Sequence, residues 1–316
     1  MRRSKKSSRI FLCLVILACC TPHTDTKESK KTTSADNASP AVAESNSDEI
    51  KELKRLEEEA RKAVMNENWP DAKQLIRQGL RQTEQNRDLD LHQARFLLLK
   101  GEAALHHGDR LNARRYFSDA MAIFHVRKNE PGRFETFLAL GRLEARSGDY
   151  AAAERQFSEA KSLEAKITDK SLKGRFLVEQ GRLAARTVDH KKAAEFFTKA
   201  LLLFDALKNN RMRAETLLLL SAEEEMLGRL GSARQSLYRA SKLFETAGFP
   251  SGKVKAVHRL ATYAEREKKY AMARRLYNEA LALYEQLDQQ TAATNVARHL
   301  SALPTVDKDS QKKKSR

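Results

Sequence analysis

A forty-residue period constrains this chain more than any other feature. The segment GEAALHHGDRLNARRYFSDA begins at Gly101, GRLEARSGDYAAAERQFSEA at Gly141 and GRLAARTVDHKKAAEFFTKA at Gly181. SAEEEMLGRLGSARQSLYRA follows from Ser221 and ATYAEREKKYAMARRLYNEA from Ala261, so the frames start 40 residues apart. Small residues recur in three rows: Gly101, Gly141, Gly181, Ser221 and Ala261; Ala113, Ala153, Ala193, Ala233 and Ala273; Ala120, Ala160, Ala200, Ala240 and Ala280. A fourth row is large and apolar: Phe117, Phe157, Phe197, Leu237 and Tyr277. Self-similarity at a fixed period of this size marks an array of supersecondary units, each burying its apolar face only against a neighbour. A weaker copy, one residue out of phase, carries Ala60, Ala72, Ile76 and Gly79, and residues 291–303 offer one further helix. The expectation is an all-α solenoid of about six helix-turn-helix repeats plus a C-terminal capping helix.

Spacing inside the frame supports two helices per repeat. The first small residue falls in helix A and the other two in helix B. The Phe/Leu/Tyr row lies four residues after one small row and three before the next, hence on the same face. Gly108, Gly148 and Gly228 stand where the A–B turn should fall, with Asp109, Asp149 and Asp189 as N-caps for helix B. Pro131 and Pro250 mark boundaries between repeats, and Trp69-Pro70 opens a helix in the first copy. With 12 Gly and 6 Pro in 316 residues, turn-rich all-β folds are excluded.

These columns resemble the tetratricopeptide repeat, whose motif places Gly or Ala, Gly, Tyr, Ala, Phe and Ala at these separations. Tyr150 and Tyr270 match its turn-proximal aromatic position, and the resemblance covers about residues 50–302. The chain departs from it in a period of 40 rather than about 34, which lengthens the helices, and in Glu223, Glu224 and Glu225 of the Ser221 copy. The resemblance implies a concave surface lined by the A helices and a protein partner. It does not extend to the carboxylate-clamp type, which has Asn directly after the small residue of helix A. Those positions are Glu102, Arg142, Arg182, Ala222 and Thr262.

The two ends read differently. Arg2, Arg3, Lys5, Lys6 and Arg9 precede the apolar run Ile10–Ala18, the n- and h-regions of a secretory signal peptide. That run is nine residues long, against the roughly 20 of a spanning helix. All cysteines, Cys13, Cys19 and Cys20, lie in or beside it. Ile16-Leu17-Ala18-Cys19 resembles the lipobox of bacterial lipoproteins, which implies lipidation of Cys19, with Cys20 as the alternative. Acyl chains would then anchor the chain on a membrane with no spanning helix. The absence of Asp after either cysteine implies, by that family's sorting, the outer membrane facing the periplasm. The expected organisation is a signal peptide (1–18), a lipidated, disordered tether (19–48), the solenoid (49–302) and a basic disordered tail (303–316) with Lys312, Lys313 and Lys314.

No catalytic constellation is present: no cysteine in the body of the chain, no Gly-rich phosphate loop, no HExxH or CxxC. The histidines recur at no metal-ligand spacing, so neither cofactor nor metal is expected. The informative pattern is basic. On the helix-A stripe away from Gly141 stand Glu135, Leu138, Arg142, Ala145 and Arg146; one repeat later stand Arg175, Val178, Arg182, Ala185 and Arg186. Stacking should gather Arg142, Arg146, Arg182 and Arg186, with Arg95, Arg175, Lys255, His258 and Arg266 extending the patch. Glu144, Glu154 and Glu179 are candidates to neutralise it. The leading expectation is a non-catalytic envelope lipoprotein, a scaffold or adaptor docking an acidic or extended segment of an envelope protein. The net charge of +17, or +12 once the five basic residues of 1–18 are removed, raises the alternative of a nucleic-acid- or anionic-surface-binding solenoid. The secretory start and the few aromatics oppose nucleic acid. A hydrolase with an unrecognised site is the remaining class.

Overall fold

A computed structural model describes residues 40–84 and 86–304. The chain divides into two units, residues 1–45 and 46–316, and the second carries the solenoid. Cys19, Cys20 and the Lys312–Lys314 run lie outside the described residues. Six hairpins follow one another: α1 (Pro40–Met65) with α2 (Trp69–Thr83), α3 (Asp90–His106) with α4 (Arg110–Val126), α5 (Glu130–Ser147) with α6 (Tyr150–Leu163), α7 (Lys170–Arg186) with α8 (His190–Ala206), α9 (Asn210–Met226) with α10 (Leu230–Thr246), and α11 (Pro250–Arg266) with α12 (Tyr270–Gln286). A final helix, α13 (Gln290–Ala302), packs on α12 through Ala293 and Val296, and Arg274 donates to the carbonyl of Leu303 at 3.1 Å. Among the described residues there is no strand, and no helix is long and apolar enough to cross a membrane. The architecture is an all-α solenoid of six hairpins and a cap. Helix α1 starts at Pro40, inside the stretch read from sequence as tether; Ala41, Ala43 and Glu44 are good helix formers.

The period follows from how each helix stops. At the end of α5, Gly148 takes φ 87°, and the next residue, Asp149, donates its backbone N–H to the Glu144 carbonyl. Asp149 then accepts from the Ala152 N–H at 2.8 Å and opens α6. One residue thus closes one helix and caps the next, giving a two-residue connection here and a three-residue one between α3 and α4. Asp109, Asp189 and Asn209 do the same. Left-handed residues accordingly recur at 108, 128, 148, 188, 208, 228, 248, 268 and 288, so the forty-residue unit is two near-equal twenty-residue halves.

The missing member of that series is residue 168. There α6 runs into a 3-10 turn (Glu164–Lys166), then extended Ile167, which is buried. The row Phe124, Phe204, Phe244, Tyr284 has Glu164 at that position, and Ile167 supplies the apolar plug instead.

Where glycine does not occupy the left-handed position, strain accumulates. Val188 sits at φ 64° with its side chain exposed. A β-branched residue there costs about 1–2 kcal/mol. Val188→Gly should therefore stabilise the chain by about 1 kcal/mol, less the added unfolded-state entropy, and raise Tm by roughly 2 °C. A thermal scan showing a lower Tm would contradict this reading of the turn.

Between helices, the small and large rows interlock. A Cβ added to Gly101 would stand 2.4 Å from the Phe117 ring, to Gly141 2.3 Å from Phe157, and to Gly181 2.6 Å from Phe197. The bare backbone of helix A is what admits the ring of helix B. A second set, not evident from the frame, seats Phe124 on Gly132, Phe204 on Gly174 and Phe244 on Gly252.

Candidate functional site

The A helices turn one face inward and enclose a groove of about 1010 Å³. Its wall includes Arg61 from α1, Arg95 from α3, Glu135, Arg142 and Arg146 from α5, Arg175, Val178 and Arg182 from α7, Arg211 from α9 and Lys255 from α11. Arg95, Glu135, Arg175, Glu215 and Lys255 occupy one position of five successive repeats, so the stack presents alternating charge along a line. Arg175 donates to Glu135 at 2.6 Å, one full period away, and Arg61 reaches the same carboxylate at 3.1 Å.

Arg142 donates to Glu102, also forty residues away, and lies 3.7 Å from Glu179. Arg95 donates to Glu57 at 3.2 Å. Arg182 lies 3.9 Å from Glu179, and Arg211 donates to Glu215 at 2.9 Å.

These pairings set the electrostatics. Burial opposes ionisation of Glu135, but the Arg175 and Arg61 guanidiniums outweigh it and hold the carboxyl at about 2. Glu57 is likewise held below the usual carboxylate range, burial being overcome by His92, Arg95 and Arg61. Arg142 is half-buried, yet Glu102 and Glu179 push its pKa up, so it stays charged. Eight basic and seven acidic side chains line the groove, which is therefore almost neutral.

The sequence stripe is thus dispersed. Arg142, Arg146, Arg175, Arg182 and Arg95 share the groove, but four of them face carboxylates. Of the acids named from sequence, Glu179 serves this role, while Glu144 is turned to Arg114. No described carboxylate lies within 4 Å of Arg146 or the exposed Arg186. Arg186, His258 and Arg266 do not line the groove. The His258 Nδ1 is 3.1 Å from the Tyr284 hydroxyl at the α11–α12 seam, and burial lowers its pKa. Arg266 pairs with Glu225. The carboxylates Glu57, Glu102 and Glu215 were missed from sequence, although their register was readable.

One contact closes the groove across its mouth. Arg211 on α9 donates to the Met65 carbonyl and, at 2.6 Å, to Asn66 Oδ1, both in the first hairpin. The same guanidinium stacks on Phe249 at 3.8 Å, and Lys255 approaches Glu67 at 4.0 Å. The solenoid turns tightly enough for the first repeat to touch the fifth and sixth.

No protein-family model matches the sequence. No curated protein matches it. Solved structures do. A signal-transduction ATPase with a tetratricopeptide repeat sensor from Pyrococcus horikoshii is similar at TM-score 0.67 and 16% identity, covering 83% of this chain and 38% of that one. This chain thus spans well under half of that protein. A Rap protein complexed with competence and sporulation factor is similar at TM-score 0.59 and 15% identity, covering 82% of this chain and 77% of that one. BtubC from P. vanneervenii is similar at TM-score 0.56 and 14% identity, covering 75% and 92%. The fold is a tetratricopeptide-like α-solenoid. In this solenoid, among the described residues, no group of three or more His, Cys, Asp or Glu is placed to hold a metal ion. The groove's chemistry is paired charge over an apolar floor that includes Leu98, Val178 and Leu218.

Proposed function

We propose that the solenoid is a non-catalytic protein-interaction scaffold whose interior groove holds an extended segment of a partner protein. The observation that carries this reading is the groove itself, a continuous space built from the A helices, apolar at its floor and charged along its walls. An extended chain suits such a surface, because backbone and side-chain groups can meet both signs of charge while apolar side chains settle between helices. Arg146 is the groove-lining guanidinium left to meet an acidic residue of that segment, since those of Arg142, Arg175, Arg95 and Arg182 face carboxylates. The interleaved carboxylates oppose the nucleic-acid alternative at this face.

The basic, apolar, cysteine-terminated start of the chain supports a lipid anchor at Cys19 or Cys20 and a place in the bacterial envelope, outer membrane facing the periplasm. Labelling with a fatty-acid analogue would test the address; a Cys19→Ser, Cys20→Ser chain that still takes the label would refute it.

For the groove, a photo-crosslinking residue at Val178, on the floor, should capture a partner in intact cells. One at Leu202, exposed on α8, should not. Arg146→Glu should weaken capture about fivefold with unchanged helicity, through a charge contact of under about 1 kcal/mol turned repulsive. Equal capture from both positions would defeat the proposal.

A further inference from the structure

A second cavity, of about 670 Å³, lies on another side of the first two hairpins, between α2 and α4 over α3. Helix α2 contributes Lys73, Arg77 and Arg81, spaced by four residues and so on one face, and α3 contributes Lys100. No described carboxylate lies within 4 Å of any of these four cations. The Lys100 ammonium sits 4.5 Å from the centre of the Tyr116 ring. Ile76 and Leu80 form a buried apolar floor.

The other repeats show that the period does not require this arrangement. The positions equivalent to Lys100 hold Leu140, Gln180, Leu220 and Leu260. With the first copy's one-residue offset, those equivalent to Arg77 hold Ser118, Ser158, Thr198 and Tyr238. A row of like charges at four-residue spacing destabilises its helix unless an anion lies along it. From Lys73 to Arg81 the row runs about 12 Å, the length of roughly four extended residues. A single small anion cannot span that length. A continuous polyanion is opposed by Glu84 and by Asp109, which line the same cleft. A short run of carboxylates alternating with apolar side chains meets both the cation row and the floor.

We propose that the α2–α4 cleft is a second docking site, separate from the interior groove, for a short acidic, partly apolar stretch of a protein partner. The test uses the full chain and a fluorescein-labelled seven-residue peptide of alternating Glu and Leu, read by anisotropy at about 0.1 M salt. Arg77→Glu with Lys100→Glu should weaken binding at least about tenfold. The milder Arg77→Ser with Lys100→Leu, which installs residues the other repeats carry, should weaken it several-fold and keep the fold. Lys191→Glu with Lys192→Glu, an equal charge change on α8, should alter it less than about twofold, as should Arg146→Glu in the groove. Trp69, the sole tryptophan, borders both the cleft and the groove, so its emission should shift with the same midpoint in the parent and in the Arg146→Glu chain alike. Equal weakening by the α8 variant would reduce the effect to overall charge and overturn the proposal. So would displacement of the peptide by single-stranded DNA at lower concentration than by unlabelled peptide, or an absence of peptide binding.

Discussion

Phe176→Ala is expected to lose about 3–5 kcal/mol of stability, the largest effect of any single truncation considered. The ring is fully buried, 5.4 Å from Phe134 and 6.3 Å from Phe157, both edge-on. It therefore ties the α7 helix to the preceding hairpin at a junction where a 3-10 turn replaces the usual left-handed stop. Solenoid stability is close to a sum of repeat terms and neighbour interfaces, so weakening a central interface uncouples the two sides. Urea unfolding of the variant should show two transitions where the parent shows one or a less resolved pair. A loss under about 1 kcal/mol would mean that the ring is not packed as described.

The second large effect lies in the groove. Glu135→Gln should cost about 2–3 kcal/mol near neutral pH, because it leaves the half-buried Arg61 and Arg175 facing an uncharged group. The carboxyl titrates below its ordinary value, so its contribution is complete above about pH 4.5 and is lost as pH falls toward about 2. The stability gap between parent and variant should thus stay constant from pH 7 to 5 and close between pH 4.5 and 2. A gap that widened on acidification would have the wrong sign for a depressed carboxylate.

Much of the fold was legible because its causes are local. Gly101, Gly141 and Gly181 and their facing phenylalanines repeat in register, and Asp109, Asp149 and Asp189 cap the helices they precede. What escaped was of two kinds. The 3-10 turn after α6 follows from one substitution in a row, Glu164 among aromatic residues, whose meaning depends on Ile167 filling the gap.

The contact of Arg211 with Met65 joins residues far apart in sequence, and depends on the superhelical turn per repeat. Period alone does not give that quantity. The pairing of charges in the candidate site escaped for a different reason. Counting arginines at successive repeats suggested a uniformly basic patch, but Glu135 and Glu215 alternate with Arg95, Arg175 and Lys255 at one register position. The alternation was present in the sequence; only the ladder it forms required three dimensions.

The groove exists because side chains one period apart meet inside it. A double-mutant cycle on Glu135→Gln and Arg175→Ala, measured by urea unfolding at pH 7, tests this most directly. A coupling of about 1 kcal/mol or more is expected between these residues, forty positions apart at 2.6 Å. Additivity within about 0.3 kcal/mol would contradict the stacking on which the groove depends.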